Sequence, residues 1–236
     1  MTTRNNKRKK YKKKKGRPRR EFEKRKGRTR RRLKKRTHKK RRIYGPKYAP
    51  WLWNDNIFIK NSHNCYTYAL NKQYRKFADK CRHTLRNNKG KPKDQKKRCI
   101  KPQPGVYAGC KKINKPDYTC DGVERRMMLD NEYMIKLQRE EEPPKKYYKI
   151  AMTCKGNGKD YHFYRRNEDG TWSHKTGMDP VSDLDFSGKK ILDPINADRG
   201  EYNIFCGYYA IPYDRNYKHA RIDYRLENAI NNGREC

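Results

Sequence analysis

No run of the 236-residue sequence approaches the roughly 20 apolar residues needed to span a bilayer. Met1 is followed by a polar, Lys/Arg-rich segment rather than by an apolar one, so no signal peptide is expected. There is no glycine-rich phosphate loop, dinucleotide fingerprint or kinase motif, which excludes nucleotide-driven chemistry and leaves hydrolysis or binding. No Cys-x2-Cys pair occurs, although there are eight cysteines, so a compact zinc site is not signalled. Acidic residues are nearly missing from the first 43 positions, where only Glu21 and Glu23 accompany 26 Lys/Arg.

What is present begins with that charge. The chain carries a net +38; residues 1–43 supply +24, and the other 193 residues hold 38 basic and 24 acidic groups. A segment this polar cannot bury a core, so 1–43 is expected to be a disordered basic tail that attracts nucleic acid or another polyanion. Within it, Lys14-Lys15-Gly16-Arg17-Pro18-Arg19-Arg20 resembles an AT-hook. Proline keeps such a segment extended, and arginine favours the negative potential of a narrow minor groove. Generic phosphate attraction, a nuclear import signal or threading into a capsid would produce the same composition.

The remainder holds most of the 19 tyrosines and all three tryptophans, so it can fold. Residues 44–60 read as an aromatic and proline-rich linker in which Pro46 and Pro50 bar a regular helix and Trp51 and Trp53 cover the core edge. A helix is expected from about Cys65 to Arg82, capped by Ser62 or Asn64. Residues 86–99 read as a basic loop, and a second helix runs from Cys120 to about Arg139. Strands follow at 147–154, 161–165, 171–174 and 202–211. The Asn167-Glu168-Asp169-Gly170 turn joins the second and third. The stretch 176–201 is loop-rich, and a short polar helix is expected over 217–230. Helices first and an antiparallel meander afterwards make an α+β class, with a domain over 61–216 and an extension over 217–236.

A cysteine at a helix start gains from free backbone N–H groups, which favour the thiolate and can hold an oxyanion. Cys65 is so placed. His162 on a later strand is the candidate general base, and His174 across the hairpin is the candidate third group that fixes the imidazole. The hairpin sets 162–163 opposite about 174–175, and a shared face depends on a one-residue register. Asp160 is a poorer third member, Gln103 can point an amide into the site, and His63 can pair with Cys65 instead. Packing of Cys65 and a hydrogen-bonded core histidine are the inert alternatives. A zinc set from Cys81, His83, Cys99, Cys110 and Cys120 is a further option, as is a Cys110–Cys120 disulfide. Calcium in the acidic stretch holding Asp179, Asp183, Asp185, Asp193 and Asp198 lacks EF-hand spacing, so it reads as a charged loop. No metal or cofactor is assigned, and the default is reduced thiols in an intracellular protein.

The string Asn64-Cys65-Tyr66-x-Tyr68-Ala69-Leu70-Asn71, Gln103-Pro104-Gly105, Asp160-Tyr161-His162-Phe163-Tyr164-Arg165, Gly170-x-Trp172-Ser173-His174-Lys175-x-Gly177, Asp193-Pro194-x-x-Ala197-Asp198-Arg199 and Tyr202-x-x-Phe205-Cys206-Gly207-Tyr208 resembles a family found in bacteria and giant DNA viruses. It covers about 61–212 and carries no activity with it. The order helix-Cys, strand-His, neighbouring-strand polar residue also resembles the papain-like superfamily, above all its cell-wall amidases and peptidases. These resemblances imply a papain-like core in a viral protein of the virion or host-cell interior, with nucleic acid and capsid or core proteins as partners. As an enzyme it would be a thiol hydrolase of amide or ester bonds through Cys65, His162 and His174. The alternative is a non-enzymatic virion or DNA-associated structural protein.

Overall fold

In a computed structural model, residues 43–87, 99, 101–213 and 233–236 are described. The basic segment 1–42, with the motif at 14–20, most of the basic loop expected over 86–99 and the helix expected over 217–230 lie outside them. Ile43–Cys236 forms one compact unit.

The aromatic stretch before residue 60 is part of this body rather than a linker. Pro50 sits at the N-cap of α1 (Trp51–Asn54), where a missing N–H costs nothing, and Asn56 caps α2 (Ile57–Ser62) through Phe58 and Ile59 N–H. Trp53 is buried against Tyr68 and Val181, whereas Trp51 is largely exposed.

The helix expected from Cys65 to Arg82 is two. α3 (Cys65–Ala69) ends where Asn71 adopts φ 52° and Lys72 N–H returns to the Thr67 carbonyl. This is a left-handed helix stop, which Asn tolerates better than other non-glycine residues. α4 (Arg75–Asn87) follows. α5 (Cys120–Asp130) is capped by Thr119 and stops well short of Arg139. Asn131 turns its side chain back to the Met127 carbonyl, and Ile135–Leu137 becomes strand β1.

The expected strands are present as β2 (Tyr147–Cys154), β3 (Tyr161–Arg166), β4 (Trp172–Lys175) and β6 (Ile204–Pro212), with a short β5 (Val181–Ser182) between the last two. The class is α+β. The sheet is antiparallel with order β1-β6-β2-β3-β4-β5, so β2 to β5 form a meander and β6 inserts between β1 and β2. A bulge opposite Met152 and Thr153 leaves Cys206 as the extra residue, next to Gly207 at φ 146°.

Both faces of the sheet are covered. Tyr148, Ile150, Met152, Cys154, Tyr161, Phe163, Tyr209 and Ile211 pack with α3, α4 and α5 on one side. Ala151, Tyr164, Trp172, Tyr208 and Ala210 face the other, where Ile191, Ile195 and Ala197 of the long loop before β6 cover them.

Three disulfides tie the body together: Cys81–Cys99, Cys110–Cys236 and Cys120–Cys206. They correct three expectations at once. The thiols are not generally reduced, Cys110 is not bonded to Cys120, and the cysteines of the zinc set are consumed in bridges. The C-terminal residues are likewise held to the body: Arg234 pairs with Cys110, next to the Cys236 bridge. The partners stand 18, 126 and 86 positions apart, intervals with no local signature.

Candidate functional site

Cys65 begins α3, and a capping box fixes that start. Asn64 Oδ1 accepts from Thr67 N–H at 3.2 Å, and Thr67 Oγ1 accepts from Asn64 N–H at 2.9 Å. Asn64 Nδ2 donates to the Pro102 carbonyl at 2.8 Å, which ties this corner to the loop before the Pro104-Gly105 turn. The Cys65 sulfur lies 4.0 Å from the Tyr161 carbonyl oxygen and belongs to the helix-side core with Tyr161 and Phe163. Burial, with the Asp160 charge adding to it, pushes the thiol pKa up to about 12. The backbone amides of Phe163 and Tyr66 act in the opposite direction without prevailing.

His162 and His174 meet on adjacent strands, but in a register shifted from the expected one. Tyr164 pairs with His174, so His162 is its diagonal neighbour on the same face, and Nε2 of His162 lies 2.8 Å from Nδ1 of His174. His174 Nε2 lies 2.9 Å from the Leu184 carbonyl, which can only accept. In the neutral pair, His174 therefore carries its proton on Nε2 and accepts from His162 Nε2–H. Burial holds both imidazoles below the ordinary histidine range, His162 well below, where the neighbouring His174 adds to the effect. Tyr164, Phe186 and Tyr202 surround the pair with aromatic rings.

Side chains alternate along a strand, so His162 leaves β3 on the face opposite Tyr161 and Phe163. The histidine pair thus occupies the loop-covered side, and Cys65 the helix side. The structure joins two members of the expected triad and leaves the third across the sheet.

The other candidates have different partners. Asp160 accepts from Tyr202 O–H at 3.0 Å and from Tyr161 N–H at 2.9 Å. Gln103 accepts from Ile113 N–H at 3.2 Å and braces its own loop. His63 accepts from Tyr74 N–H at 2.9 Å and bonds Ser62 and the Ile59 carbonyl, not Cys65. Asp185 receives N–H groups from Ser187, Lys189 and Asp198, which makes it a brace for the acidic loop.

Sequence reasoning missed Lys175. It follows His174 and so faces the helices, where it is the charged group that favours the Cys65 thiolate. Its ammonium donates to the carbonyls of Lys60, Gly177 and Asp179 at 2.8, 2.7 and 3.1 Å. As an ammonium it fixes a loop, although burial lowers its pKa from 10.5 to about 7, with the neighbouring Cys65 acting the other way. Strand parity, once the face of Ser173 was known, would have located it: Ser173 bonds Tyr68 of α3 at 2.7 Å. Sequence reasoning also missed Arg165, buried between Tyr68, Asn71 and Asn167. Cys154 is the second free thiol, and its sulfur, with those of Cys120 and Cys206, forms a cluster within 4.8 Å.

Fold and site together define a disulfide-stapled, basic α+β protein whose sheet is buried on both faces. The chain belongs to the family of insoluble matrix shell protein 1. The protein of that name from Ruditapes philippinarum is 30% identical over 172 residues, which span 72% of this chain and 93% of the relative. No family model and no solved structure matches the chain.

Proposed function

We propose that this chain is a non-catalytic structural protein of an oxidising, extracellular matrix that binds acidic macromolecules through its basic segment. The observation that carries this reading is the net charge of +38, with +24 of it in residues 1–43. Such a charge density binds polyanions by counterion release, whatever their sequence. Six of the eight cysteines are bridged, as suits an oxidising compartment. The separation of Cys65 from the histidine pair supports a structural role over turnover. The relative's name, an insoluble matrix shell protein, accords with the same role. The test is binding of the full chain to a sulfated polysaccharide, to polyglutamate and to duplex DNA across rising salt. Tight, salt-sensitive binding to the first two supports the reading; retention of DNA alone favours a nucleic-acid partner instead.

A second reading keeps the papain-like layout. Cys65 at the first position of α3, beside the Tyr66 and Phe163 amides, is the observation that favours it. In that reading the domain is a thiol hydrolase of amide or ester bonds, and a rearrangement would have to bring a base to Cys65.

A further inference from the structure

We propose that Cys154, Cys120 and Cys206 form an internal thiol–disulfide exchange site that moves the bridge from Cys120–Cys206 to Cys154–Cys206 and exposes Cys120 for cross-linking to a second copy of this chain. Three observations carry it. The sulfurs all lie within 4.8 Å of one another, and only one of them, that of Cys154, is unbonded. Cys154 and Cys206 sit on paired strands, β2 and β6, with Cys206 displaced by the bulge so that it is not locked in the ladder register. Cys120 is the first residue of the 11-residue α5, where free backbone N–H groups stabilise a departing thiolate.

The step balances without an external oxidant. Cys154 gives its proton to solvent base, and its thiolate attacks the Cys206 sulfur. The Cys120–Cys206 bond breaks as Cys154–Cys206 forms, and the Cys120 sulfur leaves with the electron pair and takes a proton. A buried thiol is thereby replaced by one at a half-buried position. The Cys120 thiolate can then attack Cys206 of a second copy, joining the two chains and releasing that copy's Cys120. One thiol therefore propagates from chain to chain.

Burial, reinforced by Asp160, pushes the Cys154 thiol up to about 12, so the exchange is slow at neutral pH and accelerates as pH rises. This inference deepens the matrix reading, yet the two fail separately. A chain that does not bind polyanions would still exchange, and a chain that does not exchange would still show salt-dependent binding.

The experiment holds the full, oxidised chain at pH 7, 8 and 9 with iodoacetamide and maps thiols and linked peptides by mass spectrometry. A parallel set without alkylation runs on non-reducing gels. The expected result is alkylated Cys120 with a Cys154–Cys206 peptide, rising about tenfold per pH unit, and dimers linked through Cys120. Cys154→Ser and Cys154→Ala should both lose the Cys120 label and the dimers while keeping Cys120–Cys206. Label on Cys154 itself with Cys120–Cys206 intact would overturn the proposal. So would dimers that persist in either variant. The wild-type peptide map decides the matter even if a variant folds poorly.

Discussion

Cys65 and His162 lie on opposite sides of β3: the thiol contacts the Tyr161 carbonyl from the helix-packed face, and the imidazole points with His174 into the loop-covered face. Nucleophilic thiol chemistry needs the base within hydrogen-bond reach of the sulfur. Here the strand itself intervenes, and the thiol is buried and held protonated.

The first consequence concerns reactivity. In the folded chain at pH 7.5, Cys65 should resist iodoacetamide and acyl-probe labelling and become reactive only on unfolding. Cys65→Ala should cost about 1 kcal/mol of stability by loss of packing, with no change in hydrolysis of amide or ester probes. Rapid native labelling at Cys65, or probe hydrolysis abolished by Cys65→Ser, would restore the hydrolase reading.

His63 gives the chain an acid limit. Burial lowers its pKa from 6.5 to about 4, and its Nε2 must stay unprotonated to accept from Tyr74 N–H at the start of α4. A depressed pKa contributes stability that is present above pH 6.5 and is lost as pH falls through 4, roughly 3 kcal/mol for this group. His162 and His174 act in the same direction. Unfolding free energies measured from pH 7 to 4 should fall accordingly. His63→Gln, weaker than wild type at pH 7, should close its deficit toward pH 4; a constant deficit would remove His63 from the acid transition.

Lys175 should stabilise the fold through its three carbonyl bonds, which must outweigh the burial that lowers its pKa from 10.5 to about 7. Lys175→Met strips the Lys60, Gly177 and Asp179 carbonyls of their shared donor at a buried position. Denaturant unfolding should show a loss of about 3 kcal/mol. A change below about 1 kcal/mol would mean that water replaces the ammonium freely.

Cys110–Cys236 should stabilise more than its peripheral place suggests. It spans 126 positions, but the Cys120–Cys206 bridge nested inside shortens the effective loop to roughly 40 residues, worth about 4 kcal/mol in a chain-entropy estimate. Cys236→Ser should lower the denaturant midpoint by the corresponding amount and free residues 233–236 to proteolysis. An unchanged midpoint would assign the terminus no structural role.

Much of the sheet was legible in the sequence. Runs of strand-forming residues marked β2, β3 and β4, and Asn167 to Gly170 marked the turn, which put His162 and His174 on adjacent strands, though not in the observed register. The face they occupy was not legible. Tyr161 to Arg165 is buried throughout, so no polar face marks the outside of β3 and period-2 reading loses its sign. The break at Asn71 was hidden for another reason. Its left-handed backbone ends α3, while its side chain accepts from Arg165, 94 residues away, and local propensity carries no trace of that bond. Disulfide partners were hidden in the same way, set by tertiary packing and not by spacing.

The proposed function rests on the binding of polyanions by charge. The most direct test is the salt dependence of binding to a sulfated polysaccharide, measured for the full chain and for one lacking residues 1–43. The segment carries 26 of the 64 Lys/Arg and +24 of the net charge. The account predicts a steep fall of affinity with salt for the full chain and the loss of most of that slope and affinity on deletion. Equal affinities and equal slopes for the two chains would contradict it.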